Sequence, residues 1–563
     1  MTTTAGDWQT ILHRRSFLEG DAFGRATALL DPDSARVLCG PFDRIESPWL
    51  AVQGIVPQSD DGVVIARGTI GGNPVVVASI EQRFQGGAIG EVSGAKITQA
   101  LRLAAEDCRA GTPTAAVLLL ETGGVRLQEA NLGLNAVAEI CSAILDLRPL
   151  APVVGVVAGE VGSYGGVSIA AGLCTTLIVT PQGRIGLNGP AVIEQEAGVE
   201  EFDAGDRALI WRIDGGEQRC ATGLADVLVP DDADRLRAAV SAALAAGPLR
   251  RGEHRSERVD DYETRVAAID PGHPPTPEEL RTLWGAAPTM RLPRGESSTA
   301  PSRGRTWLTA LAATAPEPVV ASVLRADTTD RTYLAVVPDP DSHYPRARHG
   351  EVGLVECWAL ADALDDVIRA DADAAVKRAV VAVVDLPSQA YGRLEEMAGL
   401  HQAIAVTVDA YHRARTAGHP IVALVVGAAL SGGFLAHGLQ AQRILALDDP
   451  GVRIHAMHES AAARITLRTV AELEELAKTV LPLSFDVRDW ARLGFCDGLL
   501  PVTDAQDPTA DDVEVVRGAV DAQIHAARTG PRDLSTRLDS PDATRVRTAS
   551  RQVREAMTAQ WRR

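Results

Sequence analysis

The chain has 563 residues, 46% of them apolar and 23% charged, which are values of a globular protein with more buried volume than one ordinary core requires. Two domains are therefore expected. A formal net charge of −19 argues against nucleic acid or an anionic membrane surface as a partner, so any phosphate on a ligand has to be met by local Arg or Lys. Seven cysteines lie far apart with no C-x-x-C pair, which argues against a four-cysteine zinc knuckle and points to a reducing compartment. Met1 to Glu19 holds no apolar secretory core, and a soluble, cytoplasmic protein is expected. Residues 152–180 carry a single charge, Glu160, yet their glycines and Val-rich ends read as strand, loop, helix and strand rather than a membrane helix.

Residues 8–50 are polar and read as helical up to the turn Gly40-Pro41-Phe42-Asp43. Two β-branched runs, 63–70 and 75–80, flank Gly71-Gly72-Asn73-Pro74 and predict a hairpin. Phe84-Gln-Gly-Gly-Ala-Ile-Gly-Glu-Val-Ser-Gly-Ala-Lys96 then reads as a glycine-rich loop opening a helix over 97–109. Such a loop can hold an anion at the helix N-terminus, with Lys96 beside it; the alternative is a plain loop and a surface lysine.

Ala115-Ala-Val-Leu-Leu-Leu120 reads as a buried strand that ends in Glu121-Thr-Gly-Gly124, followed by a helix through Ile140. The strand Pro152-Val-Val-Gly-Val-Val-Ala158 leads into Gly159-Glu-Val-Gly-Ser-Tyr-Gly-Gly-Val-Ser168, where a helix starts. Amides at the start of a helix are unpaired, and Gly165-Gly166 lets a ligand approach them with no Cβ in the way. A developing oxyanion suits that place. Residues 194–220 are acidic, and 247–304 are linker-like with one or two polar helices between Pro and Gly clusters.

The second half repeats the order of the first. Strand 380–385 ends in Leu386-Pro-Ser-Gln-Ala-Tyr-Gly392, a long helix is expected over 395–416, and strand 421–426 leads to Gly432-Gly433. In both halves a glycine, Gly159 or Gly427, follows the strand's proline at the same spacing. Two such copies point to a duplicated unit with one purpose. Repeated strand–turn–helix units mean parallel sheets with βαβ crossovers. The tail, 531–563, is rich in Arg with helical spacing and is expected to pack on a partner or on the second domain.

Ser47-Pro-Trp-Leu50, Gln85-Gly-Gly87, Glu121-Thr-Gly-Gly-Val-Arg-Leu-Gln-Glu-Ala-Asn-Leu-Gly133, Leu187-Asn-Gly-Pro190 and Ile193-Glu-Gln-Glu-Ala-Gly198 resemble the β subunit of biotin-independent malonate decarboxylase. Pro345-Arg-Ala-Arg-His-Gly-Glu-Val-Gly353, Asp385-Leu-Pro-Ser-Gln-Ala-Tyr-Gly392, Phe434-Leu-Ala-His-Gly438 and Ala446-Leu-Asp-Asp-Pro-Gly-Val452 resemble its γ subunit. The resemblance implies a fusion of the two, an α/β protein with two crotonase-like, carboxyltransferase-type spiral domains joined by a polar linker. Residues 1–290 would be the β-like domain, 291–304 the linker, 305–530 the γ-like domain and 531–563 a basic helical tail. It also implies the reaction, in which a malonyl thioester on an acyl carrier protein loses CO₂ and becomes the acetyl thioester. The carrier bears a phosphoribosyl-dephospho-CoA type arm, and an acyltransferase subunit completes the complex, with no biotin or metal on this chain. A dimer or larger oligomer of this chain is expected. Glu160 and His458-Glu459 depart from the family pattern as it is understood here.

That reaction leaves an enolate on the thioester oxygen, so hydrogen-bond donors are required there and a metal or nucleophile is not. Gly123-Gly124 and Gly165-Gly166 would supply one oxyanion hole, and Gly432-Gly433 a second, in family fashion across an interface between N-type and C-type domains. A side chain at Gly166 is expected to block the donor while leaving the fold largely intact. Tyr164, Tyr391 and His349 are candidate proton donors, against packing roles for each and water as the donor. Lys96, Arg126, Arg346, Arg348 and the Ser388 loop are candidate contacts of the carrier arm, against surface ion pairs. Two other readings stay open: the carboxyltransferase component of a biotin-dependent acyl-CoA carboxylase, and a non-catalytic scaffold that docks the carrier.

Overall fold

The structure, a computed structural model, describes residues 14–563, so the part of the expected N-terminal helix before Arg14 lies outside it. Within it the only α-helix of 14–50 is Ala22–Leu29, followed by the strand β1 (Arg36–Leu38) and a turn at Pro41–Asp43. Asp21 caps that helix through Gly24 N–H, and the chain turns extended at Leu30, so the helical reading of 8–50 was too long.

Two sheets carry the chain. The first runs in sequence order through β1, β2 (Val63–Ile70), β3 (Asn73–Ile80), β4 (Ala115–Leu119), β5 (Val153–Val157), β6 (Thr176–Val179) and β7 (Val227–Leu228). β1 to β3 pair antiparallel and include the expected hairpin, and β3 to β7 pair parallel. The second repeats this order through β8 (Glu317–Val320), β9 (Val323–Asp327), β10 (Arg331–Val336), β11 (Ala379–Leu386), β12 (Ile421–Leu430), β13 (Arg443–Leu447) and β15 (Gly498–Leu500), with β14 (Arg453–His455) added beside β12. Residues of β5 and β12 are buried on both faces, which is why they read as unbroken apolar runs.

The shared glycine after each of these strands has a local cause. Glu121, at the end of β4, accepts N–H bonds from Ala158 (3.1 Å), Gly159 (2.7 Å) and Gly162 (3.1 Å). Asp385 in β11 does the same for Ala428 (3.3 Å), and a Cβ on Gly427 would collide with its carboxylate. An acid near one strand end, buried Glu121 or half-buried Asp385, thus holds the next strand's exit in both halves.

The helices Ala130–Leu147 and Leu400–Thr416 lie between the sheets and are buried almost all round, one from each half. Buried polar contacts cross between the halves there: Arg148 Nη2 to Asp409 Oδ2 (2.6 Å), Ser256 Oγ to the same oxygen (2.6 Å) and Arg415 Nη2 to Ser142 Oγ (2.8 Å). Leu127–Leu147 is also long and apolar enough to cross a membrane, but 94% of that window is buried inside the protein.

Two expectations are corrected and a third is extended. The helix expected at 97–109 begins at Glu91, since Gly90 N–H is bonded by Ser93 Oγ (2.9 Å) and Gly94 makes room for Ala136. The long helix at 395–416 is two helices, Arg393–Met397 and Leu400–Thr416, broken where Gly399 takes φ +80 against the side chain of Leu224. The basic tail packs on the second half as expected, through Arg537 to Leu439 O (2.6 Å) and Ala441 O (2.9 Å), but it also docks its last helix, Thr548–Trp561, on the first: Ser550 N–H bonds Glu91 (3.0 Å), Arg554 pairs with Glu139 (2.6 Å), and Arg67 lies 4.4 Å from the Trp561 ring. Arg547 and Arg554 share the buried carboxylate of Glu139, while Arg537 and Arg551 bond backbone carbonyls.

Candidate active site

The glycine turn after β5 and the one after β12 face a single cavity of about 350 Å³ between the halves. From the first half it is lined by Gln85, Gly86, Gly123, Gly165, Gly166, Leu187 and Asn188, and from the second by Gln389, Ser431, Gly432, Leu435 and Met457, among others. Among the described residues no Asp, Glu, Lys, Arg or His lines it. Both turns serve one cavity within one chain.

Only part of the expected glycine set offers a donor. Gly165 N–H goes to Leu187 O (2.9 Å), Gly123 N–H to Gly86 O (2.9 Å) and Gly124 N–H to Thr122 Oγ1 (2.9 Å). Gly124 (φ +114) and Gly165 (φ +59) instead pack backbone against backbone, where a Cβ on Gly165 would stand 2.7 Å from Gly124 Cα. Gly166 and Val167 open the helix Gly166–Leu173, and their N–H groups have no acceptor among the described residues. In the second turn Gly432 N–H donates to Gln389 Oε1 (2.7 Å), and Gly433 packs behind the wall against Ser388 O. A Cβ on Gly166 would meet Val137 at 2.7 Å and Leu435 at 3.1 Å, so Gly166→Val overpacks the core and is no fold-neutral probe.

The charged and aromatic candidates all lie outside the cavity wall. Lys96 is inside a helix, 1% exposed, with Nζ bonded to the carbonyls of Asp60 (2.8 Å) and Val63, so it holds the chain before β2 and cannot serve an anion. Arg126 is as deeply buried and pairs with Asp61 (2.7 Å) and Glu129 (2.8 Å), which excludes it from the carrier arm. Tyr164 OH donates to Asp214 (3.1 Å), and burial pushes its phenol well above the usual range. Tyr391 is buried beside His458 and is likewise shifted upward by burial. Arg346 pairs with Glu201 (2.9 Å), Arg348 bonds Ser342 O (2.9 Å), exposed His349 meets Glu351 (3.2 Å), and Ser388 Oγ bonds Gln389 O (2.7 Å). Of the departures, Glu160 bonds Gln82, and His458 caps a helix whose Glu459 pairs with Arg453.

Two site residues were missed, Asn188 and Gln389. Each stands inside a motif quoted above, Leu187-Asn-Gly-Pro190 and Pro387-Ser-Gln-Ala390, where the neighbouring Ser388 and Tyr391 drew attention instead. Asn188 is held from behind by Glu396 of the second half, whose carboxyl accepts N–H bonds from Leu187 (2.8 Å) and Asn188 (2.7 Å). Burial, then the nearby Asp214, pushes the Glu396 carboxyl up from its ordinary value. Arg219 ties the same corner together through Asp214 (3.0 Å) and Glu396 O (3.0 Å).

Duplicated β/α sheets thus set two glycine turns on one shared cavity, and the class of the first half is given by its family match. Residues 25–285 match the carboxyl transferase domain family, and residues 347–561 match the malonate decarboxylase gamma subunit family. The chain is 41% identical over 245 residues to the malonyl-S-ACP:biotin-protein carboxyltransferase MADC of Malonomonas rubra, covering 42% of this chain and 77% of the relative. It is 39% identical over 142 residues to MADD of the same organism, covering 25% of this chain and 49% of the relative. A subunit in the solved malonate decarboxylase hetero-tetramer of Pseudomonas, in complex with malonate, is 57% identical, covers 49% of this chain and 100% of its own length, and aligns with a TM-score of 0.48. The chain belongs to the malonate decarboxylase family, with the β-like and γ-like parts fused in one polypeptide.

Proposed function

We propose that the chain decarboxylates a malonyl thioester carried on an acyl carrier protein, giving the acetyl thioester and CO₂, as the carboxy-lyase component of a malonate decarboxylase complex. The observation that carries this is a cavity with the free helix-start amide of Gly166 on its wall and, among the described residues, no ionised side chain. When the bond to the carboxylate breaks, its electron pair moves through the α-carbon to the thioester oxygen. Gly166 N–H, at the positive end of its helix, stabilises the enolate that forms. A cation on the wall would hold the substrate as a carboxylate and oppose its departure as neutral CO₂; neutral donors let it go. The α-carbon then takes a proton, and with no acidic side chain on the wall, water delivers it.

Gly123, Gly124 and Gly165 shape the thioester side of this site, while Gly432 and Gly433 build the carboxylate side. Arg346, Arg348 and His349 are assigned to the phosphoribosyl-dephospho-CoA type arm of the carrier, outside the cavity. An acyltransferase subunit reloads the carrier. The junction of the two domains is placed at 291–304, and the chain works as a homo-oligomer in the cytoplasm. Mass spectrometry of malonyl carrier incubated with this chain alone should show loss of CO₂ to the acetyl carrier; unchanged malonyl carrier would refute the assignment. The activity after which MADC and MADD are named favours a second reading, transfer of the carboxyl group to a biotin protein. Avidin would then arrest turnover, whereas direct decarboxylation is insensitive to it.

A further inference from the structure

The most deeply buried polar side chains of the cavity wall are Asn188, 3% exposed, and Gln389, 4% exposed, one from each half. Their orientation is forced. Gly432 N–H can only donate, so the Gln389 oxygen faces it (2.7 Å). The Gln389 amide nitrogen must then face Asn188 Oδ1 (2.7 Å), and Asn188 Nδ2 in turn meets Ala390 O (2.9 Å). Flipping either carboxamide would set oxygen against oxygen or nitrogen against a donor. Glu396 fixes the Asn188 backbone from the other side, so the pair has little freedom to reorient. Asn188 uses one of its two N–H groups in this chain and keeps the other, and the second N–H of Gln389 lies beside the Tyr391 hydroxyl.

We propose that the Asn188–Gln389 pair is the specificity element of the cavity: it selects an acyl thioester with a free terminal carboxylate by offering neutral carboxamide N–H donors where other sites use a cation. This rests on the decarboxylase reading. Neutral, fixed donors recognise a carboxylate without holding it as strongly as Arg would, which reconciles selecting the group with releasing it as CO₂. An acetyl thioester presents a methyl group there and gains nothing from the pair.

Two variants test this, with the malonyl and acetyl forms of the carrier as probes. Gln389→Met keeps the length and removes the donor; Gln389→Glu replaces it with an anion that faces both Asn188 Oδ1 and the incoming carboxylate. The Michaelis constant for malonyl carrier should rise at least about tenfold in Gln389→Met and further in Gln389→Glu, the scale of a lost hydrogen bond to a charged group. Inhibition by acetyl carrier should stay within about twofold. Parallel losses for both carriers, together with a lower Tm, would assign the pair a purely structural role and overturn the proposal. So would unchanged constants in a folded Gln389→Met protein. Should the wild-type chain leave malonyl carrier unconverted, the decarboxylase reading falls first. The selectivity is then read directly as the ratio of the two dissociation constants, and a ratio unaffected by either variant refutes it separately.

Discussion

The first half bends its glycine turn at Gly165 (φ +59, ψ −152), the second at Ser431 (φ +56), both at the exit of the central parallel strand. In the first, backbone meets backbone at Gly124 and the helix-start amides are left free. In the second, a side chain, Gln389, fills the place beside Gly432 N–H. On the proposed reading one duplicated frame serves two roles, an open donor site where negative charge develops and a side-chain-tuned site that reads the substrate. At the positive-φ position itself the first half carries glycine and the second carries Ser431.

The sharpest way to break that contrast is to put the same methyl group in each turn. Gly165→Ala needs a backbone region that L residues scarcely enter and drives a Cβ to 2.7 Å from Gly124 Cα. It should displace Gly166 N–H and lower turnover by about 10²–10³, the cost of one oxyanion donor. Gly432→Ala meets first the Gln389 side chain at 3.0 Å and no backbone atom, so a shift of a few tenths of an ångström accommodates it, and it should cost about tenfold or less. Turnover measured on malonyl carrier decides; a larger loss in Gly432→Ala than in Gly165→Ala would reverse the assignment of roles.

A second contrast lies at the helices Glu91–Arg109 and Leu354–Ala370. Each starts after a glycine, and the residue that bonds this glycine's N–H is Ser93 in the first half and buried Glu356 in the second (3.0 Å). Burial pushes the Glu356 carboxyl up to about 7 from 4.5. Because the folded value is the higher one, folding favours the protonated acid: this stability is full below the ordinary carboxyl value and is lost as pH rises through about 7. Glu356→Gln should be indifferent to that rise. Its Tm relative to wild type should increase between pH 5 and pH 8, by up to about 3 kcal/mol in stability. A Tm difference that stays flat across this range would show that the acid ionises without penalty.

Periodicity revealed the hairpin, the parallel strands and the duplication, because apolar spacing and glycine position are local properties. What it did not reveal depends on distant neighbours. Gly94 sits mid-helix because Ala136 presses against it, and Gly399 breaks a helix because Leu224 occupies the space a Cβ would need. Lys96 and Arg126 read as solvent-facing cations until carbonyls and carboxylates from distant residues close around them. Among the glycines, the free donor at Gly166 is told apart from the bonded amides of Gly123, Gly165 and Gly432 only by where Gly86, Leu187 and Gln389 fall in space. Asn188 and Gln389 stood inside recognisable motifs, but their pairing joins residues 201 positions apart.

The smallest effect concerns Ser431 itself. An L residue held at positive φ costs about 1–2 kcal/mol relative to its preferred backbone, while glycine there is free of that strain but loses more chain entropy on folding. The two terms nearly offset, so Ser431→Gly should change stability by no more than about 1 kcal/mol, in the stabilising direction if strain dominates. The variant also strips a hydroxyl from the cavity wall and makes the second turn resemble the first. If the reaction runs on the Gly166 amide, with Gln389 reading the substrate, turnover should stay within about threefold of wild type. A loss above tenfold in a variant of unchanged Tm would mean that the Ser431 hydroxyl touches the reacting group, and the second turn would then share in the chemistry as well as in recognition.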